Sequence, residues 1–295
     1  MKKTLFSSFL FLLFITFISI SYLSFFGYET DRFNKIIKSQ VKKSKYNVNL
    51  DFKKITILLD IKKFVLYVKF LNPKINYSKV SIPLEYLRSD IDLEFLSKRR
   101  LAIKKIIIAT EYLEFTEIKS ILEQFNLKQE NFKNIETARF KIKKLNLEFD
   151  KDFKLKDNFN FSGIIDNANI KLLNNYKIND LSGNFRYDGD LFHFDKIIWS
   201  LKDKNNIDKE FFDGEIKVKK IKKRFEVNLK FKTSNPSALP RISIMNYAFE
   251  KGKISEINTS FLIDEKKNIT FKKFSINNYF ILIRYFKMII DNIIY

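Results

Sequence analysis

The sequence predicts a mainly β protein carried behind an N-terminal transmembrane helix. Three observations lead there: an uncharged apolar run near the start, a change to two-residue periodicity at about residue 48, and a hydrophobic content of 45% in a chain of net charge +21. The periodicity and the charge together describe strands that are apolar on one face and charged on the other, as in an antiparallel sheet wetted on one side. At 295 residues the chain is long enough for a sizeable core in one large or two ordinary domains, and its apolar content excludes a wholly disordered chain.

Residues 1–27 form the first element. Lys2 and Lys3 precede a stretch from Thr4 to Gly27, 24 residues without a charge, where about 20 suffice to cross a bilayer as a helix. The flank SYLSFFG crowds its small residues with Tyr22, Phe25 and Phe26 and offers no small-x-small cleavage site. The segment is therefore read as an uncleaved signal-anchor rather than a signal peptide. The lysines ahead of it favour a cytoplasmic N-terminus. The expected topology is a single pass, which in a bacterium means an inner-membrane protein with the bulk of the chain in the periplasm.

Residues 28–47 follow as an amphipathic juxtamembrane helix, with Phe33, Ile36, Ile37 and Val41 at helical spacing. The basic cluster Lys42, Lys43 and Lys45 is a candidate membrane-surface contact on anionic headgroups; a solvated helix end accounts for it equally well.

Residues 48–125 form an N-terminal β module with a short helix. Ile55, Ile57, Leu59 and Ile61 share one face, and Phe64, Leu66, Val68 and Phe70 share the same kind of face in the next run. The stretch TEIKSILEQF reads as the helix, with Thr116 as its N-cap and Ile118, Ile121, Leu122 and Phe125 on one side. Residues 126–140 read as the most polar connector of the chain.

Residues 126–278 are expected to be repetitive antiparallel sheet. Leu145, Leu147 and Phe149 alternate with Asn146, Glu148 and Asp150, and Phe225, Val227, Leu229 and Phe231 alternate with Glu226, Asn228, Lys230 and Lys232. Turn residues at Asn174-Asn175, at 187–190 (Tyr-Asp-Gly-Asp) and at 265–268 (Glu-Lys-Lys-Asn) punctuate a meander. Two Ser-Gly pairs, Ser162-Gly163 and Ser182-Gly183, form a weak internal echo. Residues 279–295 are an apolar tail in which the part before Arg284 suits a strand and the rest a helix.

Motifs of catalysis and cofactor binding are missing. The chain has no Cys and a single His, His193, so thiolate sites, disulfides and multi-His metal sites are excluded. No phosphate-binding glycine loop or nucleophile elbow occurs. The acid pairs Asp90 with Asp92 and Asp188 with Asp190 are spaced by two, which places them on the wet side of a strand or in a turn. No catalytic, cofactor or metal residue is assigned, and the chain is read as a non-enzyme. Basic residues number 55 against 34 acidic, with Phe 33 and Tyr 13, yet the bases are spread along the chain and the aromatics keep the strand period, so nucleic acid is not an expected partner. A codon bias towards Lys, Asn, Ile and Phe would account for much of the basic balance as well as an anionic partner would.

The segment ITILLDIKKFVLYVKFLNPKINYSKVSIPLEYLRSDIDL, behind an anchor and an amphipathic stretch, resembles the opening module of the AsmA family. The dipeptide Asn72-Pro73, the Ile82-Pro83-Leu84 segment, the Ile91-Asp92-Leu93 strand and the following IKKIIIATEYLEFTEIKSIL carry the likeness. Residues 155–231 are similar to that family's repetitive sheet. Several members of that family are longer, so the resemblance implies either a short member or a truncated one.

The resemblance implies an elongated, folded-over (taco-like) sheet with an apolar groove along which phospholipid or another envelope lipid passes between inner and outer membranes. Envelope-assembly proteins are further expected partners. Ile57, Leu59, Leu66, Val68, Phe70, Phe225, Val227 and Leu229 are the candidate lipid-contacting residues. Two other readings stay open: an anchored jelly-roll relay for lipopolysaccharide, and a scaffold for outer-membrane proteins. A closed β-sandwich core gives the same alternation as an open groove, so the pattern does not separate them.

Overall fold

A computed structural model describes residues 2–42, 48–63, 65–77, 80–91, 103–124, 134–150, 154–157, 159–171, 177–202, 210–233, 255–265, 268–276 and 279–280. The fold is mainly antiparallel β with few helices. It divides into two compact units, 1–111 with 144–159, and 112–143 with 160–295.

The first unit holds helices α1 (Lys2–Phe25) and α2 (Asn34–Lys42) and strands β1 (Tyr28–Thr30), β2 (Val48–Asp51), β3 (Lys54–Asp60), β4 (Val65–Leu71), β5 (Lys74–Tyr77), β6 (Val80–Ile91) and β7 (Ile103–Thr110). The second holds β8 (Leu113–Glu114), α3 (Phe115–Gln124), β10 (Asn160–Lys171), β11 (Lys177–Asp188), β12 (Leu191–Lys202), β13 (Glu210–Ile221), β14 (Arg224–Thr233), β15 (Ser255–Asp264), β16 (Ile269–Ile276) and β17 (Tyr279–Phe280). Strand β9 (Ile135–Glu148) contributes its start to the second unit and its end to the first.

α1 contains a stretch, Phe6–Phe25, long and apolar enough to be a single membrane anchor or a signal sequence. Its last turn is closed by the Phe26 and Gly27 amides, which donate to the Tyr22 carbonyl at 2.9 and 3.1 Å. Gly27 is left-handed, with φ 73°, the usual residue just past a helix end. A Cβ there would stand 2.8 Å from Thr56 Cγ2 and 2.9 Å from Leu58 Cγ. The chain then enters β1 without a linker, Tyr28 opposite Ile57 and Thr30 opposite Ile55 on β3. Residues 28–47 are thus not one helix. Hydrogen bonding to β3 takes residues 28–30, and the helix starts at Asn34.

In the first unit β1, β3, β4, β6 and β7 are successive neighbours, and the end of β9 pairs with β7. β2 pairs with β5, and β5 in turn pairs with the start of β6. β6 therefore serves two sheets, with Pro83 opposite Lys74 on β5 and Arg88 opposite Lys69 on β4. The corner is pinned where the Leu84 amide donates to the Pro73 carbonyl at 3.0 Å, next to a left-handed Asn72 (φ 50°). Asn72-Pro73 and Pro83 thus stand where the chain passes from one sheet to the other. They bring Leu50, Ile75 and Ile82 against a core of Phe52, Ile55, Val68, Phe70, Leu84 and Leu87, with Ile37 of α2 packed on it as well. Phe52 meets Phe70 edge-on, ring centroids 4.9 Å apart. Each such buried side chain contributes about 1.5–3 kcal/mol of apolar transfer energy.

In the second unit the strands from β9 to β17 follow one another in chain order as an open antiparallel meander. The hairpin expected at 187–190 forms, with Asp188 opposite Leu191 and Gly189 left-handed at φ 59°. At the turn expected over 265–268, the Asp264 carboxylate accepts from the Asn268 amide at 2.9 Å, and residues 266 and 267 lie outside the described residues. Asn174-Asn175 lies outside the described residues. α3 begins at Phe115, and Glu117 accepts the Glu114 amide at 2.9 Å. Thr116 is therefore inside the first turn and does not cap it. Phe115 packs on Ala138 of β9 and Ala168 of β10, so this helix belongs with the second unit and not with an N-terminal module ending at 125. Residues 135–140, expected as polar connector, are strand, because Ala138 and Phe140 give β9 an apolar side. Of the tail, Tyr279–Phe280 pairs with β16, and 281–295 lies outside the described residues.

Three adjacent strands each carry a bulge with a left-handed residue: Asn167 on β10, Asp180 on β11 and Lys196 on β12, φ 50°, 55° and 51°. Each inserts one extra residue, so the apolar side steps from Ile165 to Ala168, from Leu181 to Ile178, and from Phe194 to Ile197. The bulges thereby keep one face apolar across a line where the strands bend.

Candidate functional site

The candidate surface is built by register. On β13 and β14, Ile216 stands opposite Leu229 and Val218 opposite Val227. On β14 and β15, Phe225 stands opposite Ile263, Val227 opposite Phe261 and Phe231 opposite Ile257. β12 extends the same face through Phe192 opposite Val218 and Phe194 opposite Ile216, and β16 through Phe271 opposite Phe261. Phe225 is 45% exposed and Val227 only 7%, while Leu229, Phe231, Ile257, Phe261 and Ile263 are half-buried. Inner residues of a closed sandwich are fully covered; most of these are not.

Glycines shape this face. Gly214 stands opposite Phe231 and Gly163 opposite Phe185, and a Cβ on either would meet the facing ring at 2.2 and 2.4 Å. Gly183 is similarly covered by Phe194, 2.9 Å from its would-be Cβ. The Ser-Gly echo in the sequence is therefore a repeated device in which a Phe ring lies across a glycine of the neighbouring strand. Over Gly214 the ring of Phe231 reaches Trp199 edge-on, centroids 6.1 Å apart.

The opposite face is charged. Arg186, His193 and Glu215 form a ladder across β11, β12 and β13: Arg186 Nη2 is 3.2 Å from His193 Nδ1, and His193 Nε2 is 2.5 Å from Glu215 Oε1. Arginine can only donate, so Nδ1 accepts and the ring proton sits on Nε2, directed to Glu215. Lys217 lies 2.7 Å from Glu215 and, with a smaller contribution from His193, holds that carboxyl below its usual range. Further along, Lys272 pairs with Glu226 at 2.6 Å and Lys230 with Glu256 at 3.1 Å. The lone histidine is thus part of a structural ladder, buried at 9% exposure.

The structure separates the eight candidate residues. Phe225, Val227 and Leu229 share the face just described. In the first unit Ile57 stands opposite Val68 and Leu59 opposite Leu66, but Val68 and Phe70 are covered, 7% and 8% exposed, inside the closed core. Ile57 packs against that core, and Leu59 and Leu66 are half-buried toward the β3–β4 turn. Phe64 lies outside the described residues. Lys42 is exposed at the end of α2, and Lys43 and Lys45 lie outside the described residues.

The acid pairs resolve into local contacts. Asp90 is paired with Arg88 at 2.5 Å, with the Arg88 guanidinium stacked 3.7 Å from the Tyr67 ring centroid. Asp92 lies outside the described residues, and Asp188 and Asp190 flank Gly189 in the hairpin. Among the described residues no group of three or more His, Asp or Glu is placed to hold a metal ion.

These features define a class: a β-meander protein with an N-terminal membrane-length helix, whose second unit shows one apolar and one charged face. Comparison with models of protein families, with curated proteins and with solved structures finds no match.

Proposed function

We propose that the chain is a membrane-anchored, non-enzymatic carrier of the AsmA type, which moves the acyl chains of phospholipid along the apolar face of its second unit. The observation that supports the reading is the incomplete cover of that face, with Phe225 at 45% exposure and Leu229, Phe261 and Ile263 half-buried around the covered Val227. Exposed hydrocarbon costs about 0.8 kcal/mol per CH₂ in water, and an apolar sheet removes most of that cost for a tail lying on it. The charged ladder on the other face keeps the protein side of the arrangement soluble. The proposed setting is the bacterial inner membrane, with the N-terminus cytoplasmic and the remainder periplasmic, reaching toward the outer membrane and its assembly. Val68 and Phe70, being core, are not part of the proposed path.

Because the sequence has no cysteine, a photo-crosslinker can be attached at single substitutions Phe225→Cys and Leu229→Cys, with Asn228→Cys and Lys230→Cys on the charged face as references. Crosslinking in membranes followed by mass spectrometry is expected to recover phospholipid from 225 and 229 and little from 228 and 230. Equal recovery from both faces, or no lipid from either, removes the reading. Recovery of lipopolysaccharide or of barrel proteins instead favours a relay or a scaffold.

A further inference from the structure

The fold accounts for one side of α2 and leaves another unexplained. Ile37 packs on the core, and Lys38 is tied to Asp51 at 2.5 Å. Phe33 is already in helical register, since its carbonyl accepts from the Ile37 amide at 3.0 Å. Phe33 and Ile36, three residues apart and so on one side of the helix, are 45% and 54% exposed. Two large apolar side chains are held out together on one element, and among the described residues neither belongs to the unit's core.

Their position along the chain says what they meet. α1 passes into β1 with no linker, and β1 is hydrogen-bonded to β3, so the end of the membrane-length helix is fixed to the sheet. Phe25, Phe26 and Tyr28 at this junction are 79%, 75% and 46% exposed. From Gly27 to Phe33 there is at most about 20 Å of chain. Exposed Arg32, Lys35 and Lys42 accompany the apolar pair. A helix with exposed apolar residues, flanked by bases, suits the boundary between headgroups and acyl chains, where it sinks about 5–10 Å, and the bases suit anionic lipid.

We infer that α2 lies in the membrane interface, Phe33 and Ile36 among the headgroups and Arg32, Lys35 and Lys42 beside anionic lipid, so that the first unit is seated on the bilayer. The inference rests on α1 being a membrane-spanning anchor. The seating is independent of whether the second unit carries lipid.

The test places an environment-sensitive fluorophore on Ile36→Cys in the full chain, in nanodiscs of phosphatidylcholine and phosphatidylglycerol. Ile18→Cys in α1 and Ile61→Cys beyond β3, both on exposed side chains, are the references. Quenching by spin-labelled lipid is expected to be strong at 18, strong at 36 and weak at 61, with aqueous iodide giving the reverse order. If 36 behaves like 61 while 18 is quenched from the lipid, α2 is not seated and the anchor stands. If 18 is reached only by iodide, the anchor reading fails and the seating with it. A second variant, Lys35→Glu with the label at 36, is expected to weaken lipid quenching at 36 several-fold while leaving 18 and the circular dichroism unchanged; undiminished quenching overturns the role given to the bases.

Discussion

Gly214 on β13 stands opposite Phe231 on β14, and a Cβ at 214 would lie 2.2 Å from the ring. Glycine inside a strand ordinarily weakens it by entropy and by leaving nothing to pack. Here the neighbour's ring fills the vacancy and reaches across to Trp199. The cavity left by one residue and the bulk of the other form a single packing unit.

Gly214→Val therefore displaces the Phe231 ring and costs about 1–3 kcal/mol, as overpacking does. Combining it with Phe231→Ala recovers part of the loss, since the obstructing ring is gone. Urea denaturation of the two single variants and the double variant measures this. Additive losses in the double variant would show that the pair does not act together.

Closed and open apolar surfaces respond differently to truncation. Phe70→Ala, at 8% exposure within the core, is expected to cost about 3–5 kcal/mol. Phe225→Ala, at 45% exposure, is expected to cost under about 1 kcal/mol. Chemical denaturation of both reads the contrast, and a large loss at 225 would mean that this face is a covered core.

At the anchor junction, Gly27→Ala forces a side chain into the left-handed region, at about 1–2 kcal/mol, and against Thr56 and Leu58 as well. The expected result is fraying of β1 from β3, seen as faster limited proteolysis around residues 27–31 with the remainder of the unit still protected. Unchanged cleavage would mean that the junction tolerates a different turn.

Acid weakens the charged face. The carboxyls of Glu215, Glu256 and Glu136 are held below their usual range, first by the Lys217 ammonium, the Asn258 amide and the Lys171 ammonium respectively. A group whose folded pKa is depressed adds stability above its unfolded pKa and loses it as pH falls through the folded one. Thermal stability is therefore expected to decline on acidification below about pH 4.5, modestly, because the groups are partly exposed and salt screens them. Glu215→Gln should flatten that decline; a melting temperature that rises between about pH 5 and 3 would contradict the assignment.

Alternation was enough to locate much of the β structure and to say which side of each strand is apolar, because a strand shows its side chains to opposite faces in turn. It placed Ile55, Ile57 and Leu59 together, and Phe225, Val227 and Leu229 together, and the Gly189 hairpin followed from its turn residues. It did not reveal the bulges at Asn167, Asp180 and Lys196, since a single extra residue in a left-handed conformation leaves no compositional mark when no glycine is used. Nor did it pair Gly214 with Phe231, which depends on register between strands. Whether an apolar face is covered is a long-range matter. Val68 and Phe70 are sealed because the Asn72-Pro73 corner folds β5 and β2 over them and α2 adds Ile37, whereas Phe225 carries the same local pattern and is left 45% exposed. Local sequence decides which side of a strand avoids water, and only the tertiary arrangement decides what that side meets.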